Sequence, residues 1–386
     1  MIVRIVVSLA ATLASTPVVP AQVPTWSARQ IARIGSVDDA DRSLTRVTGV
    51  LIDSRAHVYI LQPQDRQVAV FDSSGRRVRL IGRSGEGPGE FDAVSAAGLR
   101  ADTLYVADNA LGRISFFDAD GAPIRTVRFA SPAFGAPPAF YLPTVPQVLL
   151  ADGAGLVRPE VPIALIATGT GSVPYLRISP AGEISDTLLL EDLPPQTFEI
   201  VSEGNRVFAT RPFPDRPLFH WLADGSGLVV VDRPAATDAA QASFRVTKIR
   251  IDGDTVFSWS VDYTPARLDA GRLADAVSEI EDRLASRRNA PGRAPIEQAL
   301  RNLDLIPAYR PPVARVASAA DGSIWIERDV ANVDTAWLVL NARGDPIGQL
   351  RLADGQRIMA IRDDLAAALE LDPLDVPYVV LYRLRR

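Results

Sequence analysis

The chain has no cysteine, a single lysine (Lys248), two histidines (His57 and His220) and two methionines in 386 residues. Each scarcity removes a class of chemistry. Without cysteine there is no disulfide, no thiol nucleophile and no lipid-modified cysteine anchor. Two histidines cannot build a three-histidine zinc site. No Gly-x-Ser-x-Gly elbow occurs, so a Ser-His-Asp set has few ways to form. The formal net charge is −5 and no stripe of basic and aromatic residues is present, which argues against nucleic acid as a partner.

What is present is the composition of a folded chain, 47% hydrophobic and 23% charged. Residues 1–21 read as a secretion signal: Arg4 is a short basic region, Ile5 to Leu13 an apolar core, and Val19-Pro20-Ala21 a cleavage site. The apolar run is too short to span a bilayer as a helix; its alternative reading is a buried first strand. The mature chain, 22–386, is expected to start near Gln22 as one domain, periplasmic or secreted, monomeric, and without stable membrane insertion.

The body of the chain repeats. Val58-Tyr59-Ile60 and Leu104-Tyr105-Val106 lie 46 residues apart, and Phe71-Asp72/Phe117-Asp118 and Gly75/Gly121 keep that spacing without a gap. Each unit reads as apolar strand, polar connection, second strand, Asp-x-x-Gly turn and third strand. Asp suits such a turn because its side chain bonds the local backbone, and Gly because it accepts positive φ. Looser copies turn at Gly182, Gly253 and Gly344, each preceded by an upstream strand pair. Five four-stranded units therefore start near 47, 93, 143, 214 and 313. A sixth, with strands from Arg357 and Pro377, lacks an outer strand, and Trp26–Gly35 can supply it. The expected fold is all-β: a six-bladed β-propeller of four-stranded antiparallel blades, closed by the N-terminal strand. Closure removes the exposed edges of an open sheet.

One insertion, about 266–305, departs from the strand pattern. Leu273, Val277, Ile280 and Leu284 share a helical face, Asn289–Gly292 breaks it, and Ile296, Leu300 and Leu303 begin a second short helix. This is a packed helical hairpin or a lid. Tyr59, Tyr105, Trp325 and Trp337 fall on strands, where aromatic residues fill the space between blades or offer a stacking platform.

The segment "IGRSGEGPGEF", Ile81 to Phe91, with the hairpin before it, resembles bacterial exported proteins described as six-bladed β-propellers, related to the NHL-repeat and TolB-like types. The resemblance is strong from about Ile34 to Phe129 and implies a fold more than a function. Among related propellers, amidating lyases use histidine-rich metal sites, which this chain lacks, and lactonase-type propellers hold Ca²⁺ with Glu, Asn and Asp. Asp108, Asn109, Asp232, Asp329 and Asn332 follow second strands, where they either take up that oxygen-rich role or cap turns. No cofactor is otherwise implied.

The Gly-rich segment itself is not a phosphate loop. No Lys-Ser/Thr follows, no helix follows, and Glu86 and Glu90 oppose an anion. It is a connector between blades one and two, on the face where propellers bind ligands. The candidate ligand-binding residues are Arg83, Glu86 and Glu90 of this connector, with Asp108, Asn109 and Arg113 of the next blade. The leading reading is a binding module for a small molecule, peptide or envelope protein, with no catalytic residues assigned. The alternatives are a Ca²⁺-dependent hydrolase or lyase with an axial Asp/Asn/Glu site and a structural part of an envelope assembly.

Overall fold

The computed structural model describes residues 23–129, 146–159, 171–181, 183–192, 197–202, 204–286, 290–329, 336–353 and 355–386. The signal segment, the break at Asn289 and the candidate ligand Asn332 lie outside the described residues.

Asp/Asn-x-x-Gly turns punctuate the strands as the sequence pattern demands. In the Asp72 turn, the carboxylate accepts the Ser74 and Arg76 N–H groups, each at 3.0 Å, and the Asp118 turn repeats this with Asp120 and Ala122 at 2.9 Å. Five four-stranded antiparallel blades result, here blades 1 to 5, the fifth being half of an eight-stranded sheet. Their first and last strands are Gly49–Ile52 and Arg77–Ile81, Val94–Arg100 and Pro123–Arg128, Val148–Leu149 and Ile184–Asp192, Leu218–Trp221 and Thr255–Asp262, and Val313–Ser318 and Pro346–Arg351. Blade 6 comprises Arg357–Arg362, Leu365–Leu371 and Pro377–Arg385, and its outer strand is the N-terminal strand Thr25–Ile34.

That N-terminal strand joins two blades. Thr25 and Trp26 pair in parallel with Gln349 and Leu350 of blade 5, and Ser27 to Ile34 then pair antiparallel with Arg385 to Val379 of blade 6. Arg33 adds an ion pair to Glu370 at 2.9 Å and lies over the Tyr378 ring. The two ends of the chain thus close the ring.

Among the described residues one apolar cluster fills each interface between successive blades. Phe71 and Leu381 represent the blade 6–1 cluster, Val70 and Phe117 the next, Tyr105 and Ile178 the next. Tyr175 with Leu228, Val231 with Ile326, and Trp337 with Val380 complete the circuit. Burying both faces of every blade is what makes each sheet stable only in the series. Tyr59, Tyr105, Trp325 and Trp337 are all buried in these clusters, as their strand positions predict.

Two features depart from the sequence reading. The connection from blade 3 to blade 4 carries an extra hairpin, Thr197–Ser202 with Asn205–Thr210. The helical insertion forms α1 (Ala270–Leu284) and α2 (Arg293–Asn302), but Leu303 lies past the end of α2 and is half exposed, so it does not continue the buried face. Phe198, Ile200 and Ala209 of the hairpin bury against Val277, Ile280 and Leu284 of α1 and Ile296 and Leu300 of α2. This forms a seventh core outside the ring.

Topology decides which face these additions occupy. In a four-stranded antiparallel blade, the second-to-third turn and the exit to the next blade lie at the same end. The Gly-rich connector, the extra hairpin and the helical pair are all exits from outer strands. They therefore share one face, called the connector face below.

Candidate functional site

The connector from blade 1 to blade 2 is folded by its own residues. Gly82 has φ +88°, and a Cβ there would stand 2.2 Å from the Phe91 ring. Phe91 is fully buried between blades 1 and 2, its ring 5.9 Å from that of Phe117. Its N–H donates to the Arg83 carbonyl at 2.8 Å, and its carbonyl accepts the Gly85 N–H at 3.1 Å, pinning the loop at both ends.

The acids and arginines expected to meet a ligand divide into two groups. Asp108 is buried, and its carboxylate accepts the backbone N–H of Asp92 at 2.8 Å, Leu111 at 3.0 Å and Ala93 at 3.2 Å. Arg113, also buried, donates to the carbonyls of Glu86 at 2.6 Å, Glu90 at 2.8 Å and Gly87 at 3.0 Å. Both therefore hold the connector's backbone instead of facing solvent. Glu90 faces Arg83 at 2.8 Å and the Gly87 N–H at 2.8 Å, and these bonds, the backbone one foremost, lower its pKa. Arg83, with its side chain 80% exposed, and Glu86 remain on the surface. Asn109 sits half-buried in the adjoining turn.

A second charged group at the connector face escaped the sequence reading. Arg315, near the start of the inner strand of blade 5, is in register with Glu327, and its Nη1 meets the two carboxylate oxygens at 2.8 and 2.6 Å. Glu327 is buried, and that burial raises its carboxyl pKa despite the arginine. Two residues on, Asp329 pairs with Arg310 at 2.6 Å and is likewise raised by burial. Arg357, opening the inner strand of blade 6, acts on Glu327, and Arg272 of α1 acts on Asp329. Perturbed carboxyls facing arginines mark functional sites and structural networks alike. The available signal was Glu327 itself, a charged residue inside the apolar strand "IWIER".

Among the described residues no three His, Asp or Glu side chains converge as metal ligands. Asp108 is occupied by N–H groups, Asp329 faces an arginine and Asp232 is exposed. The two histidines are apart. His57, in the first turn of blade 1, bonds Asp53 through Nδ1 at 3.0 Å, and His220 of blade 4 bonds the Ser318 hydroxyl at 3.0 Å.

Fold and site together define the class: this is a six-bladed β-propeller whose long connections gather on one face. The family DUF5128, described as a 6-bladed beta-propeller, matches residues 40–135, the part holding blades 1 and 2 and their connector. A protein from Bacteroides fragilis described as exported is 12% identical, with a TM-score of 0.46 over 94% of this chain and 96% of its own. A DUF4221-family protein from Bacteroides vulgatus gives 12%, 0.46, 94% and 98% in the same order. Virginiamycin B lyase from Staphylococcus aureus gives 10%, 0.38, 92% and 98%. No curated protein matches the chain. Among the described residues no helix is long and apolar enough to cross a membrane.

Proposed function

We propose that the protein is an exported ligand- or protein-binding β-propeller that uses its connector face to hold a small molecule, a peptide or an envelope protein. The observation that carries this reading is the placement of the three described additions to the basic blade. The Gly-rich connector, the extra hairpin and the helical pair, with a core of their own, all leave the ring at one face. Propellers place ligands where such connections surround the axis, and loops on a rigid scaffold are where binding residues concentrate. Arg83 and Glu86 offer exposed charges there, and the Arg315–Glu327 and Arg310–Asp329 pairs offer half-buried ones. Asp108 and Arg113 contribute by fixing the connector that displays Arg83 and Glu86.

Export is tested by the intact mass of the protein recovered from native cells, which should correspond to a chain starting near Gln22. Binding is tested by a thermal-shift panel of short peptides, sugars and small carboxylates. The panel is run on the wild type, on Arg83→Ala/Glu86→Ala, and on Arg55→Ala at the opposite face. A shift lost only in the connector-face variant supports the reading. A shift lost only in Arg55→Ala moves the binding surface to the other face.

A further inference from the structure

The outer strands of blades 4 and 5 enclose a crevice of about 260 Å³. Trp259 and Val261 form one wall, and Leu338, Leu340 and Pro346 the other. Its two walls are apolar, and Ser260, Asp262, Asp345 and Gln349 add polar groups to its lining. Arg328, at the end of the second strand of blade 5, lines it as well. Strand alternation puts Arg328 on the same side as Ile324 and Ile326, which pack against blade 4.

The guanidinium of Arg328 is poorly matched by the protein. Among the described residues its hydrogen bond is to a neutral acceptor, from Nη2 to Gln349 Oε1 at 3.2 Å. Its Nε is buried and has no partner among the described residues, and the side chain joins none of the ion pairs described. Burial, followed by repulsion from Arg351, lowers its pKa. The crevice's two acids do not compensate: Asp262 and Asp345 are exposed at the rim, and Asp345 accepts from Asn341 at 2.9 Å. A second N–H, Nε1 of Trp259, is also buried without an acceptor among the described residues. Arg328 is half-buried, and a partly desolvated cation without a counter-ion is disfavoured, while an arginine fork matches a carboxylate in shape and charge.

We propose that this crevice is a binding site for a small carboxylate with an apolar body, held by its carboxylate on Arg328 and by its body between Trp259 and Leu338. Its volume falls below the roughly 300–1,000 Å³ of pockets for drug-sized ligands, so the occupant is a single ring or a short alkyl chain. The site lies between blades at the outer strands and does not depend on the connector-face reading.

Phenylacetate and hexanoate are the probes, with benzyl alcohol as the uncharged control, read by tryptophan fluorescence and calorimetry. Wild type should bind at least one acid saturably, with Kd near or below about 1 mM. Arg328→Met should weaken that binding at least tenfold, and benzyl alcohol should bind at least tenfold more weakly than phenylacetate. Trp259→Phe should keep calorimetric binding while losing the fluorescence change. The unliganded Arg328→Met protein should melt at or above the wild-type temperature, because it loses a partly desolvated charge without a counter-ion. Equal affinity in Arg328→Met, equal binding of benzyl alcohol, no binding of either acid, or a much lower melting temperature for Arg328→Met would each overturn the proposal.

Discussion

Trp26 packs its indole directly on Gly348, where a Cβ would stand only 2.2 Å from the ring. The same ring meets Trp325 edge to face at 5.5 Å and lies under the guanidinium of Arg386, the last residue. The N-terminal strand is therefore locked onto blade 5 by packing before it pairs along blade 6. Glycine at 348 is there for proximity.

Gly348→Ala should destabilise the protein by about 1–3 kcal/mol through overpacking, and Trp26→Ala by about 3–5 kcal/mol through a cavity. Urea unfolding measures both. Wild-type stability in Gly348→Ala would show that the contact does not hold the ring closed.

The connector between blades 1 and 2 has one apolar anchor. Phe91→Ala should cost about 3–5 kcal/mol, since the ring is fully buried between two blades. A loss under about 1 kcal/mol would mean that the interface collapses around the deletion.

Asp108 and Arg113 hold the same stretch of backbone from two sides. Asp108→Ala and Arg113→Ala should each destabilise by about 1–3 kcal/mol, because buried donors or acceptors lose their partner. The double variant should lose less than the sum, since either change already frees the loop. Strict additivity in a double-mutant cycle would separate the two roles.

His220 gives acid sensitivity. Burial pulls its pKa down from 6.5 to about 4, so the folded protein keeps it neutral while the unfolded chain takes up a proton below 6.5. Its contribution to stability is complete above about 6.5 and is lost as pH falls from there towards about 4. His220→Gln should flatten the decline in melting temperature over that interval. An unchanged pH profile would place the acid sensitivity elsewhere.

Calcium should act weakly or not at all. Weak extracellular calcium modules have Kd values of about 0.1–1 mM, so about 5 mM Ca²⁺ would saturate a comparable site. The melting temperature should stay within about 0.5 °C with Ca²⁺ or with chelator, since about 1 kcal/mol of binding would shift a domain of this length by about 1 °C. A larger rise with Ca²⁺ would restore the hydrolase or lyase reading.

Some elements were open to reading and others were not, for physical reasons. The Asp-x-x-Gly turns and apolar strands of blades 1 and 2 declare themselves because a hairpin needs both at fixed spacing. "LAAALEL", Leu365–Leu371, consists of good helix formers, yet it is a buried strand in blade 6 because the strands on both sides pair with it. The hairpin at 197–210 alternates weakly, since only the Phe198, Ile200 and Ala209 side is buried, and its cover comes from α1 and α2 far along the chain. At the site, position was legible and orientation was not. Arg83 and Arg113 looked equivalent as arginines near glycines, but one points to solvent and the other into the connector's carbonyls.

By itself the sequence determined the repeat, its turns and the strand that closes the ring, because those follow from local periodicity and backbone chemistry. Only the tertiary structure decided which charges stay exposed and which hold a loop. It also brought Trp259 and Arg328 to one crevice and gathered the hairpin and helices over one face. Those outcomes depend on which way side chains turn when distant blades pack, and no local pattern records that.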